Sequence, residues 1–325
     1  MSKLSELDRA KGVLAGLSIG DALGRPVEGL SPTEIRAKYG SIKNFLTEKP
    51  GGSDDTEYAI ATALTLLKHG KNTTANNFAD YWRENICPQS ESFLGAGFSE
   101  MLAISNLNKG LNPPECGVHI HSWSDGLAMR VAPCGIVGRG DIALTKKLTI
   151  ADGQVSHAGE GIESGLAIAI AISLAMDGLG HQEIVPAMMQ HLEHDSWSHR
   201  SIMKAVKIRE EFSDLAMADV VDKLVEAIAT HDYAFADLAP EAVALAISAV
   251  LFGEGDFAQT LLFAVNLGRD ADTIAAMAGA IIGGIVGYEA IPDYWRNSLL
   301  PVEGSCLAFT KGIDPVNLAE GLVSL

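Results

Sequence analysis

The chain has 325 residues, 47% of them hydrophobic, and its 41 acidic and 24 basic residues leave a formal net charge of −17. This length suits one large domain or two small ones, and the apolar content can fill a sizeable core. Nucleic acid and anionic lipid both require a basic patch, so the charge argues against either partner. The charged first residues lack a secretory leader, and no apolar stretch reaches the roughly 20 residues that span a bilayer, which predicts a cytoplasmic protein.

Most of the chain is patterned for helices, and alternating strand patterns are scarce. We predict helices, in chain order, over residues 4–23, 56–68, 78–85, 97–107, 162–176, 184–192, 199–212, 217–229, 240–251, 257–265 and 273–286. Residues 162–176 are apolar on nearly every face and should form a central buried helix. Because no linker or clear repeat interrupts the pattern, the sequence predicts one all-α domain over residues 1–325.

Small residues recur in the first and last of these helices. The first contains Gly16 and Gly20 and is followed directly by Gly24, and the last contains Gly279 and Gly283. A glycine stripe lets two helix backbones approach closely. The sequence therefore predicts tight helix packing in a soluble core.

Two short acidic clusters, far apart in the chain, each lie directly before an apolar helical run. They are Ser53-Asp54-Asp55-Thr56 and Asp270-Ala271-Asp272-Thr273. Either cluster alone suits a helix N-terminus, where Ser, Asp and Thr cap free N–H groups. A cap needs one acid, however, and paired carboxylates at the edge of a core repel each other unless a cation lies between them. Oxygen ligands favour hard divalent cations, so the two clusters predict a metal site.

Three further features each have a structural and a functional interpretation. Glu28 lies in a loop bounded by Gly24, Pro26 and Gly29. It is interpreted either as a solvated carboxylate or as a positioned acid or base.

Gly95 and Gly97 precede a helix whose first amides could hold phosphate, although plain loops are commoner. His157, at the entry to the buried helix, is either a structural hydrogen-bonding group or a ligand contact.

Six motifs, taken in order, resemble the ADP-ribosylglycohydrolase family, which includes the glycohydrolase that reactivates dinitrogenase reductase. The motifs are Gly20-Asp21 with Gly24 and Glu28, Ser53-Asp54-Asp55-Thr56, Gly95-Ala96-Gly97, Ser124 to Pro133, Ser156-His157, and Asp270-Ala271-Asp272-Thr273. They span most of the chain, and their order is more specific than any one of them. The resemblance implies an all-α orthogonal bundle of many helices, with two Mg²⁺ or Mn²⁺ ions in a central acidic cleft.

The resemblance also implies roles for individual residues. The metal ligands would be Ser53, Asp54, Asp55, Asp270, Asp272 and Thr273. Glu28 would be the loop glutamate near the scissile bond, and Asp54 and Asp55 would complete the catalytic centre. Substrate would contact a diphosphate loop at Gly95 and Gly97, the motif residues Asp125, Gly126 and Arg130, and His157 near the distal ribose.

This chain departs from the family pattern at three places. Asp125 stands where the family often has Asn, and Arg269 stands where a small residue or an amide is usual. Some members stack adenine on an aromatic residue in the stretch corresponding to Cys116–His121, whereas here the first aromatic residue is Trp123. These changes leave the predicted metal ligands intact and alter the part that would recognise ADP.

The resemblance implies a divalent-metal-dependent hydrolase of an ADP-ribosyl bond, N- or O-glycosidic. Its substrate would be an ADP-ribose-like small molecule or a modified protein. Two alternatives stay open. The missing aromatic residue and Arg269 suggest a smaller ribosyl substrate, such as a nucleoside or a phosphoribosyl adduct. A non-catalytic relative that binds ADP-ribose or has a structural role is the other alternative.

Overall fold

The computed structural model describes residues 4–213 and 215–325, and within these ranges the regular structure is helical. The seventeen α-helices are α1 (Glu6–Gly24), α2 (Pro32–Tyr39), α3 (Asp54–His69), α4 (Ala75–Asn85), α5 (Phe98–Asn108), α6 (Gly126–Arg130), α7 (Ala132–Val137), α8 (Ile142–Gly153), α9 (Glu160–Met176), α10 (His181–Met189), α11 (Trp197–Glu211), α12 (Met217–Ile228), α13 (Ala239–Phe252), α14 (Phe257–Asn266), α15 (Ala271–Val286), α16 (Asp293–Arg296) and α17 (Ala319–Ser324). β pairing in these ranges is limited to one isolated antiparallel bridge, Ser124 to Leu238. The prediction of an all-α fold is confirmed.

All eleven helices expected from the sequence are present, with ends shifted by a few residues. The prediction missed α2 and α8 among the longer helices. In α2 only Pro32 and Ile35 are buried, so no apolar stripe marks it, although Ser31 and Glu34 form a capping box. In α8 several β-branched residues lower the helix propensity, and the helix begins where Asp141 accepts a hydrogen bond from the Leu144 N–H. Local capping therefore defines helices that periodicity does not reveal.

Helices α1 and α15 pack antiparallel with their backbones in contact. A Cβ atom at Gly16 would lie 2.0 Å from the Gly279 carbonyl oxygen, and one at Gly279 would lie 2.1 Å from that of Gly16. Gly12 and Gly283 exclude each other's Cβ in the same way. The predicted close packing is confirmed, and it brings the C-terminal end of α1 beside the N-terminal end of α15.

The core surrounds this helix pair. Residues 167–172 of α9 and 242–247 of α13 are at most 1% exposed, as are residues 274–278 of α15. The prediction that α9 is central and buried is therefore confirmed. In the described residues no helix is both long enough and apolar enough to cross a membrane.

Candidate active site

One cleft lies where four helices begin, namely α3, α5, α6 and α15. Its volume is about 360 Å³. Among the described residues, eight carboxylates line it: Glu28, Asp54, Asp55, Glu100, Asp125, Asp237, Asp270 and Asp272. Gly95, Gly97, Gly126 and Thr273 line it as well. The two acidic clusters that are distant in sequence therefore face the same space.

A first group of carboxylates forms where α1, α3 and α15 meet. One oxygen each from Asp21, Asp55 and Asp272 lies within 4.8 Å of the others, and all three residues are buried. Asp21 is in the last turns of α1, so the close packing of α1 on α15 sets its distance from Asp272. The arrangement offers three hard oxygen ligands to one cation.

A second group shares Asp272 with the first. It consists of Glu28, Asp270 and Asp272, whose carboxylate oxygens also lie within 4.8 Å of one another. Two backbone hydrogen bonds hold the two loops together: the Gly29 N–H donates to the Arg269 carbonyl and the Arg269 N–H donates to the Leu30 carbonyl, each at 2.8 Å. This pairing keeps Glu28 beside Asp270.

Arg269 has a structural role in this loop. Its φ angle is +61°, in the left-handed region that non-glycine residues rarely adopt. Its guanidinium forms an ion pair with Glu241, with Nε 2.6 Å from Oε1. The positive charge of Arg269 is therefore paired with a buried carboxylate, that of Glu241.

Asp21 joins α1 to the start of α3. Its carboxylate accepts hydrogen bonds from the Ser53 N–H at 2.7 and 2.9 Å and from the N–H and hydroxyl of Thr56. The Ser53 hydroxyl in turn donates to Asp55 Oδ2 at 3.0 Å. Ser53 thus orients Asp55, and it is not among the residues that line the cleft.

Burial and mutual repulsion disfavour the charged forms of these acids. Burial, reinforced by the Asp270 and Asp55 carboxylates, raises the pKa of Asp272 well above its usual range. Burial and the adjacent Asp55 do the same for the pKa of Asp54. Burial and Glu28 raise the pKa of Asp270 to about 7. Without positive charge between them, the carboxylates cannot all ionise at low cost.

The residues present fit a divalent cation. Asp55 Oδ1 and Asp272 Oδ1 are buried and have no hydrogen-bond partner within the described part of the chain. Buried acceptors without a partner carry a large desolvation cost, which a bound cation would offset. The ligand atoms are all oxygens, as Mg²⁺ and Mn²⁺ prefer. Thr273 lines the same space, whereas Asp54 lines the cleft outside both groups.

Glu28 is the accessible member of the site. It directly follows the short 3₁₀ turn Arg25–Val27, and Gly29 continues the chain with φ +76°. Although the residue is solvent-accessible, desolvation by the cleft walls, together with the Asp21 carboxylate, raises the pKa of Glu28. A raised pKa brings a carboxyl group closer to the range in which it can exchange a proton near neutral pH.

The opposite wall of the cleft contains a second set of acids. The Asp125 N–H donates to the Asp237 carbonyl at 3.1 Å, next to the Ser124–Leu238 bridge. This contact sets Asp125 and Asp237 side by side, with Glu100 in the first turn of α5 nearby. Asp125 was predicted from its motif, whereas Glu100 and Asp237 belong to no motif and were not predicted.

Arg130 and His157 lie behind this wall rather than on it. Arg130 is fully buried and pairs with Glu100 at 2.9 Å and with Asp152 at 3.0 Å. His157 is also buried, within hydrogen-bonding distance of the Ser124 and Ser156 hydroxyls. The expectation that both touch substrate does not match these positions. Each instead supports a residue of the wall.

Aromatic rings occupy one side of the cleft. Phe98 and Phe235 are each 46% exposed, and their rings pack edge to face with centroids 5.4 Å apart. His121 stacks on Phe98, while Trp123 packs against Tyr233. The cleft is thus lined by exposed aromatic rings from α5 and from the segment before α13, two parts of the chain that no local pattern connects.

Comparison with known proteins agrees with this architecture. A model of the ADP-ribosylglycohydrolase family matches residues 2–322. An uncharacterized protein of Archaeoglobus fulgidus is 32% identical over 300 residues, which cover 90% of this chain and 92% of that protein. The ADP-ribosylhydrolase ARH3 of Gallus gallus is 25% identical over 352 residues, covering 93% of this chain and 90% of that protein. A solved chain described as an ADP-ribosylglycohydrolase-related protein complex superposes with a TM-score of 0.68 at 24% identity, covering 98% of both chains.

Proposed function

This chain belongs to the ADP-ribosylglycohydrolase family. From that membership we propose that it is a divalent-metal-dependent hydrolase of a ribosyl glycosidic bond. The first candidate substrates are ADP-ribosyl conjugates. One observation carries the proposal. Two carboxylate groups share Asp272, and buried oxygens of Asp55 and Asp272 are left without partners among the described residues. Such a site is costly to maintain unless cations bind in it.

The cations would be held by Asp21, Asp55 and Asp272 on one side and by Glu28, Asp270 and Asp272 on the other. Mg²⁺ or Mn²⁺ bound there would supply Lewis acidity and positive charge at the ribose next to the scissile bond. Asp54 and Thr273, which also line the cleft, complete the oxygen-rich surface around that ribose.

The chain itself contributes a proton-transfer group and a negative field. Glu28 is accessible and can pass a proton between an attacking water and the leaving group. Hydrolysis of a ribosyl bond develops positive charge on the ring, as in other glycoside hydrolyses. The carboxylates of the cleft, Asp54 and Asp55 among them, stabilise that charge electrostatically.

The test is hydrolysis of ADP-ribosyl-arginine, ADP-ribosyl-serine and simple nucleosides, each with Mg²⁺, with Mn²⁺ and with EDTA. We expect at least one ribosyl compound to be cleaved with metal and not with EDTA. Binding of ADP-ribose without cleavage of any compound would contradict the proposal and favour a non-catalytic relative.

A smaller ribosyl substrate is the second candidate, and a specific observation favours it. Among the described residues that line the cleft, none is lysine or arginine. A diphosphate is usually met by such side chains or by free backbone amides. A nucleoside lacks that requirement, so it suits an acidic cleft.

A further inference from the structure

We infer that the wall formed by Glu100, Asp125 and Asp237, called here the acceptor wall, binds uncharged or cationic hydrogen-bond donors and rejects a diphosphate, so that ribosides without a diphosphate are the better substrates. The inference rests on the proposed function, hydrolysis of a ribosyl bond, and narrows its substrate class to the second candidate.

The acceptor wall holds oxygens that lack partners. Glu100 is 0% exposed and Asp125 is 4% exposed, yet Glu100 Oε2 and Asp125 Oδ2 have no hydrogen-bond partner in the described ranges. Asp237 Oδ1 is unpartnered as well. Asp125 precedes α6, but its side chain makes no capping bond there. Burial raises the pKa of Glu100 and Asp125. Because an ionised carboxylate only accepts, a ligand that stabilises the ionised wall must bring N–H or O–H groups or positive charge.

A single metal ion does not satisfy the acceptor wall. In the described residues, the groups of acids whose ligand atoms converge within 4.8 Å are the two that share Asp272, and neither includes a member of the wall. The wall oxygens are therefore spread over a larger surface. A molecule with several donors, such as ribose hydroxyls or the amino and imino groups of a base or leaving group, fits that spacing.

The glycines beside this wall make room for carboxylates rather than for phosphate. A Cβ atom at Gly95 would lie 2.6 Å from Asp54 Oδ1, and one at Gly97 would lie 2.9 Å from Glu100 Oε2. A Cβ atom at Gly126 would lie 2.2 Å from Glu100 Oε1. Gly95 and Gly97 were predicted to form a diphosphate loop. The structure gives another reason for glycine at these positions, because the absence of side chains leaves room for the carboxylates of Asp54 and Glu100.

Positive charge near the wall is already neutralised. The Arg130 guanidinium is buried and pairs with Glu100 and Asp152. The N-terminal ends of α3, α5 and α15, where helix dipoles would favour an anion, each have acids in their first turn. The short helix α6 has none in its first turn, but Asp125 directly precedes it. A diphosphate placed against Asp125 would therefore add negative charge to a surface that has no lysine or arginine among the described residues lining it.

Two substrate pairs differ by the ADP group, and the binding comparison that follows keeps the adenosine in both ligands. ADP-ribosyl-arginine and ribosyl-arginine share a scissile bond and a leaving group, as do NAD⁺ and nicotinamide riboside. We expect kcat/KM to be higher for the member without the diphosphate in each pair that is cleaved. Calorimetric binding of ADP-ribose and of adenosine to the metal-loaded protein gives a readout without turnover, and adenosine should bind more tightly.

Variants that neutralise one acid of the acceptor wall test whether its negative charge repels the diphosphate. Asp125→Asn and Asp237→Asn should each raise the relative kcat/KM and affinity for the diphosphate compound by about tenfold, because removing one nearby charge weakens the repulsion. Asp195→Asn is the matched control, since its side chain is fully exposed away from the cleft and the change in net charge is the same. Manganese titration of each variant separates this effect from altered metal binding.

The outcomes separate the inference from the proposed function. If no ribosyl compound of either pair is cleaved with Mg²⁺ or Mn²⁺, the proposed function fails. If ADP-ribosyl compounds are cleaved better than their partners, and the wall variants shift the ratio no more than Asp195→Asn does, the inference is overturned while the hydrolase stands.

Discussion

Asp272 is the residue on which the candidate site most depends. It belongs to both carboxylate groups, and its buried Oδ1 has no partner in the described chain. Sharing one ligand between two groups places them next to each other, so changing it should affect both. The side chains around it differ in what they contribute, and single substitutions can tell these contributions apart.

Asp272→Asn should weaken metal binding at both groups, because an amide cannot replace a shared anionic ligand. Asp54→Asn changes an acid that lines the cleft outside both groups, so excess Mn²⁺ should restore its activity more fully. Calorimetric titration with Mn²⁺ measures both effects. Equal affinity of Asp272→Asn and the native protein would remove Asp272 from the metal site.

Glu28→Gln should preserve shape and metal-dependent stability while lowering turnover by about 10²–10⁴-fold, the usual effect of losing a general acid or base. Glu28→Asp should be partly active at best, because the shorter side chain displaces the carboxyl group. The measurement is kcat for each variant across a Mn²⁺ series. Near-native turnover of Glu28→Gln would show that proton transfer does not depend on this residue.

His157 should make stability fall as the pH is lowered. Burial, with the Arg130 charge and His119 nearby, holds the pKa of His157 well below its usual range, even though Glu100 lies 3.9 Å away. Below about pH 6.5, His157 binds a proton in the unfolded chain but stays neutral in the folded state. The free energy of unfolding therefore falls by up to about 1.4 kcal/mol per pH unit.

Urea unfolding of the native protein and of His157→Gln at pH 7.5 and 5.5 checks this expectation. Other acids titrate alike in both proteins, so the difference between the two curves isolates the histidine. The advantage of the native protein should shrink at pH 5.5. A constant difference would mean that His157 does not titrate between the folded and unfolded states.

At the scale of elements, the α1–α15 contact connects packing with the site. It places Asp21 and Asp272 within reach of one another, and it leaves no space for a side chain at Gly279. Close helix packing is therefore a condition for the first carboxylate group as well as for the core.

Gly279→Ala should lower the free energy of unfolding by about 1–3 kcal/mol, because the added methyl group would overlap a backbone carbonyl that cannot move aside easily. Mn²⁺ affinity should fall as well, since α1 and α15 would be pushed apart. Gly51→Ala is the control, because a Cβ there meets nothing within 4 Å. Unchanged metal affinity in a destabilised Gly279→Ala would separate the helix contact from the site.

At the scale of the whole molecule, charge connects metal binding with stability. The chain has a net charge of −17, and eight carboxylates face one cleft. Mass action stabilises any folded state that binds a ligand, so Mg²⁺ or Mn²⁺ should raise the melting temperature and EDTA should lower it. Asp272→Asn should reduce the EDTA effect by removing repulsion along with a ligand.

Differential scanning calorimetry with increasing Mn²⁺ checks this prediction. A matched series with NaCl controls for general screening of the negative surface. A melting temperature that responds equally to both salts at equal ionic strength would argue against a specific cation site.

The sequence alone predicts the helical class, most helix positions and the two acidic clusters, because periodicity, capping residues and local charge are properties of neighbouring residues. The glycines also indicated close helix packing, whereas the tertiary structure decided that α1 packs on α15. Only the tertiary structure brought Asp21 to Asp55 and Asp272, and only it grouped Glu100 and Asp237 with Asp125. It also showed that the buried Arg130 pairs with Glu100, and that the absence of a side chain at Gly97 leaves room for the carboxylate of Glu100. These contacts join residues that are distant in the chain, so which charges are paired and which stay free depends on the packing of whole helices.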